Sequence, residues 1–323
     1  MQAGQAIQAD QLAKTYKGGV TALAGLSFDV EPGLVFGLLG PNGAGKSTTV
    51  KILTTLSRPD SGTARVAGVD VAEHPERVRR RIGAVAQESG AIAALTGRQN
   101  LRLQGELQDM SKRDLPQRSG ELLEAFGLAD AADRAVKTYS GGMRRRLDIA
   151  VALVHRPEVL FLDEPTTGLD PEARTGTWRA LRELAAEQQL TILLTTHYLE
   201  EADQFASRLA IIDRGRIVAE GAPEDLKAAL RGDSVVVEMA DRRGAGIGEA
   251  ALLQLTDVGA VALDGTALRV RVPDGARLLP TMLGALRGAG LQVESVVVSR
   301  PSLDDVYLHF AGRSFHSAQE VAA

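Results

Sequence analysis

A parallel α/β sheet with an inserted helical subdomain, followed by a smaller α+β module, is the fold the sequence predicts, and three observations predict it. Residues 34–39, 159–162 and 191–195 are short apolar or β-branched runs of the kind buried on both faces of a parallel sheet, each followed by a helical pattern. Between residues 87 and 139 strand character gives way to helical runs, "NLRLQGELQ" and "SGELLEAFGLADAADRAV". Beyond Arg231 the patterns follow the order β-α-β-β-α-β of a ferredoxin-like module.

Length and composition are compatible with that division. A chain of 323 residues, 44% hydrophobic and 24% charged, is globular and long enough for two domains. We expect the first at 1–230, with its helical subdomain at about 88–138, the second at 231–313, and a mobile tail of small and polar residues at 314–323. A net charge of -4 implies no global attraction to nucleic acid or anionic lipid. The basic run "RVRRR" reads as a solvated helix face. The absence of cysteine excludes disulfide and thiolate chemistry. The N-terminus has neither the basic nor the apolar region of a signal peptide. No apolar run approaches the roughly 18–20 residues needed to cross a bilayer, so any membrane role is expected to come through a partner.

The first strand pattern leads into "GPNGAGKST", in which Gly40, Gly45, Lys46 and Ser47 have the spacing G-x-x-x-x-G-K-S. Strand before and helix after are the context a P-loop requires: glycines let backbone N–H groups wrap phosphate oxygens, Lys46 reaches the terminal phosphates and Ser47 ligates magnesium. The run at 159–162 ends in Asp163 and Glu164, and ligands of open α/β sheets bind at the carboxyl ends of strands. Asp163 suits a magnesium role, and Glu164 suits polarising the attacking water. The third strand, 191–195, is followed by His197, within reach of the same terminal phosphate. Gln87, closing the short strand pattern "IGAVAQ", can see magnesium or the attacking water.

"YSGGMRRRLDIAVALV" begins a helix badly. Glycine costs about 0.8–1.0 kcal/mol relative to alanine inside a helix, and cations near its N-terminus oppose the dipole. Leu147, Ala150, Val151 and Val154 nevertheless mark one buried face, with Ser140 at the N-cap. The free donors of Gly141 and Gly142 then form an anion site, if a phosphate is there to receive.

Together, "GPNGAGKST", "AVAQ", "YSGGMRRRL", "VLFLDEPTTGLD" and "TTH" resemble an ATP-binding cassette (ABC) ATPase over residues 7–230. The resemblance implies an ABC-type P-loop domain that binds ATP and Mg2+ and hydrolyses ATP. It implies contacts to nucleotide from Gly40, Pro41, Asn42, Gly43, Ala44, Gly45, Lys46, Ser47 and Thr48, with Tyr16 stacked on adenine. It also implies a head-to-tail homodimer in which Ser140, Gly141 and Gly142 bind the γ-phosphate held by the second copy, and Asp170 crosses the interface. Met143 stands where the family usually has glutamine, which bears on dimer affinity. In the family the helical subdomain and the Gln87 loop meet a separately encoded transmembrane permease. The chain would then be a peripheral protein on the cytoplasmic face of the cell membrane, with no span of its own.

The sequence "SRLAIIDRGRIVAEGAPEDLKAAL" predicts two strands around a tight turn at 213–215 and a closing helix. After it, strand patterns fall at 234–240, 260–265, 267–272 and 291–299, and helical patterns at 248–255 and 277–290, with no second active site among them. An accessory or regulatory module is the expectation. "RPSLDDVYLHFAGR" and "TYSGGMRRRLDIA" resemble bacterial drug-export cassettes of the daunorubicin-resistance type, which implies export of drugs or other hydrophobic compounds. The alternative is a soluble cassette ATPase acting on ribosomes or DNA; paired cassettes or a long coiled coil would mark it, and this chain has neither. A P-loop nucleoside kinase would leave the Ser140–Gly142 turn without a purpose.

Overall fold

Residues 4–166, 169–230 and 232–311 are described by the structure, a computed structural model, and they divide into two compact units between Ile217 and Val218. The first unit opens with the long antiparallel strands β1 (Ile7–Tyr16) and β2 (Val20–Val30). Next come β3 (Val35–Leu39), α1 (Lys46–Leu53), β4 (Ser61–Val66), β5 (Val69–Asp70), α2 (Pro75–Arg79) and β6 (Ile82–Val85). The helical subdomain follows as α3 (Gly97–Leu107) and α4 (Leu115–Ala125), and α5 (Gly141–Leu153) returns the chain to the sheet. The rest is β7 (Val159–Asp163), α6 (Pro171–Gln188), β8 (Thr191–Thr196), α7 (Leu199–Phe205), β9 (Arg208–Asp213) and the edge strand β10 (Arg216–Gly221), within which the unit boundary falls.

Strands β2-β1-β4-β5 form an antiparallel sheet, and β9-β3-β8-β7-β6 are the five parallel neighbours of a second sheet that β10 completes. The parallel strands are buried on both faces, which explains their continuous apolar sequence. Val159 and Phe161 of β7 join one core with Ile7, Leu12, Phe28 and Phe36, beneath the antiparallel sheet. Leu160 and Leu162, one residue out of phase, join the other with Leu147, Leu153, Trp178 and Leu181 of the helices. Phe28 and Phe36 stack at 5.3 Å across the two sheets, and Trp178 stacks on Phe205 at 4.5 Å.

The helical run expected through residue 136 stops early. Gly127, at φ 62°, ends α4 with a Schellman pattern, Leu128 N–H donating to the Leu123 carbonyl at 2.7 Å. Only short 3-10 turns at Ala129–Ala131 and Val136–Thr138 follow. Gln87 does not close its strand either: β6 ends at Val85, and Gln87 is exposed two residues beyond.

The second unit contains α8 (Pro223–Ala229), β11 (Asp233–Met239), α9 (Arg242–Leu252), β12 (Val261–Asp264), β13 (Ala267–Val272), α10 (Gly275–Gly288), β14 (Val293–Ser299) and α11 (Leu303–Ala311). From β11 to β14 the order is β-α-β-β-α-β, and the antiparallel sheet runs β12-β13-β11-β14, the ferredoxin-like arrangement. Helix α9 starts six residues before its apolar pattern because Asp241 caps it, accepting from Gly244 N–H at 2.6 Å. The sequence places the domain boundary at 230, whereas residues 218–230 group with the second unit: α8 packs against α11, and the Arg271 guanidinium donates to the Leu230 carbonyl at 2.6 Å. The tail at 314–323 lies outside the described residues.

Candidate functional site

The carboxyl ends of β3, β8 and β7 lie side by side, with β8 in the middle. Register pairs Leu39 with Thr196 and Asp163 with Thr195, so the loop after β3, the acids after β7 and the histidine after β8 converge on one edge of the sheet.

The loop 40–45 turns on glycine. Gly43 has φ 74° and Gly45 φ 115°, and Gly45 forms the N-cap of α1. Pro41, Ala44 and Lys46 are buried, while Asn42 and Gly43 face outward. Lys46 donates through Nζ to the Gly40 carbonyl at 2.6 Å and the Pro41 carbonyl at 3.1 Å, so its cation is held inside the loop. Burial lowers its pKa from the ordinary lysine value, while Glu164 and Asp163 act in the opposite direction. Thr48 lies 3.4 Å from the hydroxyl of Tyr16, which brings the half-exposed ring at the end of β1 to the start of α1.

Ser47 Oγ donates to Asp163 Oδ1 at 3.4 Å, and Thr195 Oγ1 donates to the same oxygen. Thr195 also accepts from the Glu164 N–H at 3.1 Å. Glu164 stands at φ 48°, a left-handed conformation that costs a non-glycine residue roughly 1–3 kcal/mol and gathers at functional sites. Its Oε1 is 3.0 Å from Nδ1 of His197. Gln87 shares a cleft of about 400 Å3 with Glu164, Ser89, Gly141, Arg145 and Asp148.

Ser140 caps α5, accepting from Met143 N–H at 3.2 Å, and Asp170 caps α6, accepting from Ala173 N–H at 2.8 Å. The two helix starts are neighbours, since a Cβ on Gly142 would stand 3.6 Å from both Leu169 and Ala173. Ser140, Gly141 and Asp170 are exposed. Among the hydrogen bonds described, those of Ser140 and Asp170 are to their own helices rather than to the loop 40–47. The structure thus gathers Lys46, Ser47, Asp163, Glu164 and His197 at one edge, and sets the Ser140 turn and Asp170 together as an outward-facing pair, with Gly141 lining the cleft that Glu164 shares with Gln87.

The family described as ABC transporter matches residues 23–167, and the family described as ATP-binding protein DrrA1-3-like, C-terminal domain, matches 221–311. The daunorubicin resistance ATP-binding protein DrrA3 of Streptomyces coeruleorubidus is 48% identical over 96% of this chain and 97% of its own length. The chain belongs to the DrrA family of ABC transporter ATP-binding proteins. The linearmycin resistance ATP-binding protein LnrL of Bacillus subtilis is 34% identical over 95% of this chain and 99% of its own. A dimeric ATP-binding cassette solved in a post-hydrolysis state with ADP and Pi superposes with a TM-score of 0.62 at 27% identity, over 67% of this chain and 98% of that one. This DrrA-family chain is accordingly an ATP-binding and ATP-hydrolysing subunit of an ABC transporter. Among the described residues no helix is long and apolar enough to cross a membrane.

Sequence reading missed several side chains that build this DrrA-family site. Thr195 is fully buried and reads as one more strand residue until the register places it against Asp163. Glu201, 3% exposed, accepts hydrogen bonds from Thr166 and Thr196 and lies 3.5 Å from Arg174, tying the segment after β7 to the end of β8. Arg145 and Asp148 are buried on α5, whose three successive arginines the sequence marks only as cations opposing the helix dipole. Their only sequence signal is phase: Arg145 and Asp148 are three apart, on one side of the helix.

Proposed function

We propose that this chain powers the export of drugs or other hydrophobic compounds through a separately encoded transmembrane permease, acting as a head-to-tail homodimer on the cytoplasmic face of the membrane. The observation that carries the catalytic part is the row of Asp163, Glu164 and His197 at and just past adjacent strand ends, with Ser47 at the start of α1 beside Asp163. The resistance names of the full-length relatives support the cargo class. The exposed, serine-capped start of α5 supports the dimer, because its free N–H groups are suited to a phosphate held by a second copy.

In this reading the loop 40–48 wraps the phosphates of ATP, Lys46 neutralises the β- and γ-phosphates, and the exposed ring of Tyr16 stacks on adenine. Ser47 and Asp163 present two hard oxygen donors 3.4 Å apart, a pairing that suits Mg2+, and Gln87 from the neighbouring cleft is a third candidate. A magnesium held by Ser47 and Asp163 would leave most of its shell to phosphate and water, as the ion ordinarily does at phosphate sites. Magnesium bound there would neutralise charge that develops on the phosphates. Glu164 orients and polarises the attacking water, with His197 beside it to sense the γ-phosphate. Two copies closed over ATP are favoured over open ones because only the closed state contacts nucleotide from both faces.

Glu164→Gln keeps the side chain's shape and removes its charge, so hydrolysis should fall by about 10²–10⁴ while ATP binding survives. Size-exclusion chromatography with light scattering, in the presence of the permease, should then show an ATP-stabilised dimer of the variant. Adding Ser140→Arg, which fills the receiving turn, should abolish it. Hydrolysis at the parent rate in Glu164→Gln, or an undiminished dimer in the double variant, would overturn the assignment.

A further inference from the structure

Arg145 is 8% exposed, yet its guanidinium makes no contact ion pair among the described residues; it spends its donors on backbone carbonyls. Nε donates to the Pro165 carbonyl at 2.7 Å, Nη2 to those of Asp163 at 2.8 Å and Glu164 at 3.0 Å, and Nη1 to that of Ala86. Burying a cation is expensive, and a hydrophobic side chain would fill the volume at less cost. What a hydrophobic side chain lacks is the planar fork of five donors that can hold several carbonyls at once. Three consecutive carbonyls face one group here because the chain turns at Glu164 through its left-handed φ of 48°.

The fourth carbonyl belongs to Ala86, immediately before Gln87. Three residues further along α5, Asp148 is 7% exposed and accepts from Ser89 Oγ at 2.9 Å and from the N–H groups of Gly90 and Ala91 at 3.1 Å each. Helix α5 therefore grips the Gln87 loop on both sides of the glutamine. Through the same guanidinium it also grips the turn that carries Glu164. A shift of the loop that draws the Ala86 carbonyl away must move the fork and loosen the turn, and the coupling runs equally in reverse.

We infer that Arg145 is a positioning residue for ATP hydrolysis: it holds Glu164 in its left-handed turn and, with Asp148, makes that placement depend on where the Gln87 loop sits. The inference rests on the hydrolytic role proposed for Glu164.

The test is single-turnover hydrolysis and equilibrium ATP binding on the full chain for Arg145→Lys, Glu164→Gln and the double variant, with circular dichroism confirming the fold. An ammonium group cannot span four carbonyls. Arg145→Lys should therefore slow hydrolysis about tenfold or more and leave the ATP Kd within about twofold, a split that a general loss of structure would not produce. In the double variant the lysine should add no further loss, because both changes act through the same carboxylate. Parent-rate hydrolysis in Arg145→Lys beside a slow Glu164→Gln overturns the inference alone, and so do losses that multiply in the double variant. Parent-rate hydrolysis in Glu164→Gln overturns the reading on which it rests. If Arg145→Lys does not fold, the isosteric Asp148→Asn decides. It leaves the guanidinium in place and weakens the hold on residues 89–91, and should slow hydrolysis about threefold or more at unchanged Kd. An unchanged rate there refutes the link.

Discussion

Gly43 and Gly45 share a loop and a positive φ, but alanine should damage the protein differently at each. Gly45 sits at φ 115° and ψ -1°, outside the comfortable left-handed region. A Cβ there would stand 2.6 Å from the Ala22 carbonyl oxygen and 2.8 Å from Leu23 Cδ2. The leucine methyl can turn aside; the carbonyl belongs to β2 and cannot do so without moving the strand. Backbone strain of roughly 1–3 kcal/mol and an overpacking penalty of roughly 1–3 kcal/mol give a total of about 2–6 kcal/mol for Gly45→Ala. At about 2–4 °C per kcal/mol for a unit of this size, Tm should drop by about 4–24 °C. Gly43 has φ 74° and nothing within 4 Å of an added Cβ, so only the left-handed cost of about 1–2 kcal/mol applies, or about 2–8 °C. The methyl would instead enter the space through which a phosphate approaches the loop. Loss of one charged hydrogen bond there corresponds to roughly a 10–150-fold weaker ATP Kd. Scanning calorimetry and a nucleotide titration on the two variants separate these effects. Parent ATP affinity in Gly43→Ala, or a Gly45→Ala protein melting within about 2 °C of the parent, would refute the distinction.

Two further expectations concern stability away from the nucleotide. Asp305 is 5% exposed and accepts from Ser302 N–H and Oγ at 2.8 Å each and from Ser234 Oγ at 3.0 Å, pinning α11 to β11. Asp305→Ala should destabilise the second unit by at least the roughly 1.5–3 kcal/mol of one charged hydrogen bond, seen as a lower denaturant midpoint in the transition that follows that unit; an unchanged midpoint would count against the contact. His155 donates through Nε2 to the Ile82 carbonyl at 3.0 Å, and burial, aided by Arg118 and opposed by that bond, lowers its pKa. Because the unfolded chain then binds more protons, His155 contributes stability that is complete above the unfolded value of about 6.5 and is lost as pH falls. His155→Asn should flatten the decline of Tm between about pH 7 and pH 5, and an equally steep decline in the variant would show that other groups set it.

What the amino-acid sequence determined by itself was local chemistry. The glycines, lysine and serine of the 40–47 loop, the serine cap of α5 and the acids ending an apolar strand are each legible because the backbone conformation and the reactive groups lie within a few residues of one another. The β-α-β-β-α-β order of the second unit is legible for a similar reason, since periodicity and turn residues are local signals. Element ends were less so: α4 stops at a Schellman glycine inside an unbroken apolar pattern, and α9 begins at an aspartate cap ahead of one. Tertiary structure holds residues 223–230 to the second unit through contacts from Arg271 and α11, far along the chain. It alone decided that Thr195 lies against Asp163, which strand register sets. The roles of Arg145 and Asp148 were hidden most completely. Apart from the Ser89 hydroxyl, their partners are main-chain carbonyls and N–H groups, and every residue type offers a carbonyl, so little in the sequence marks the residues they hold.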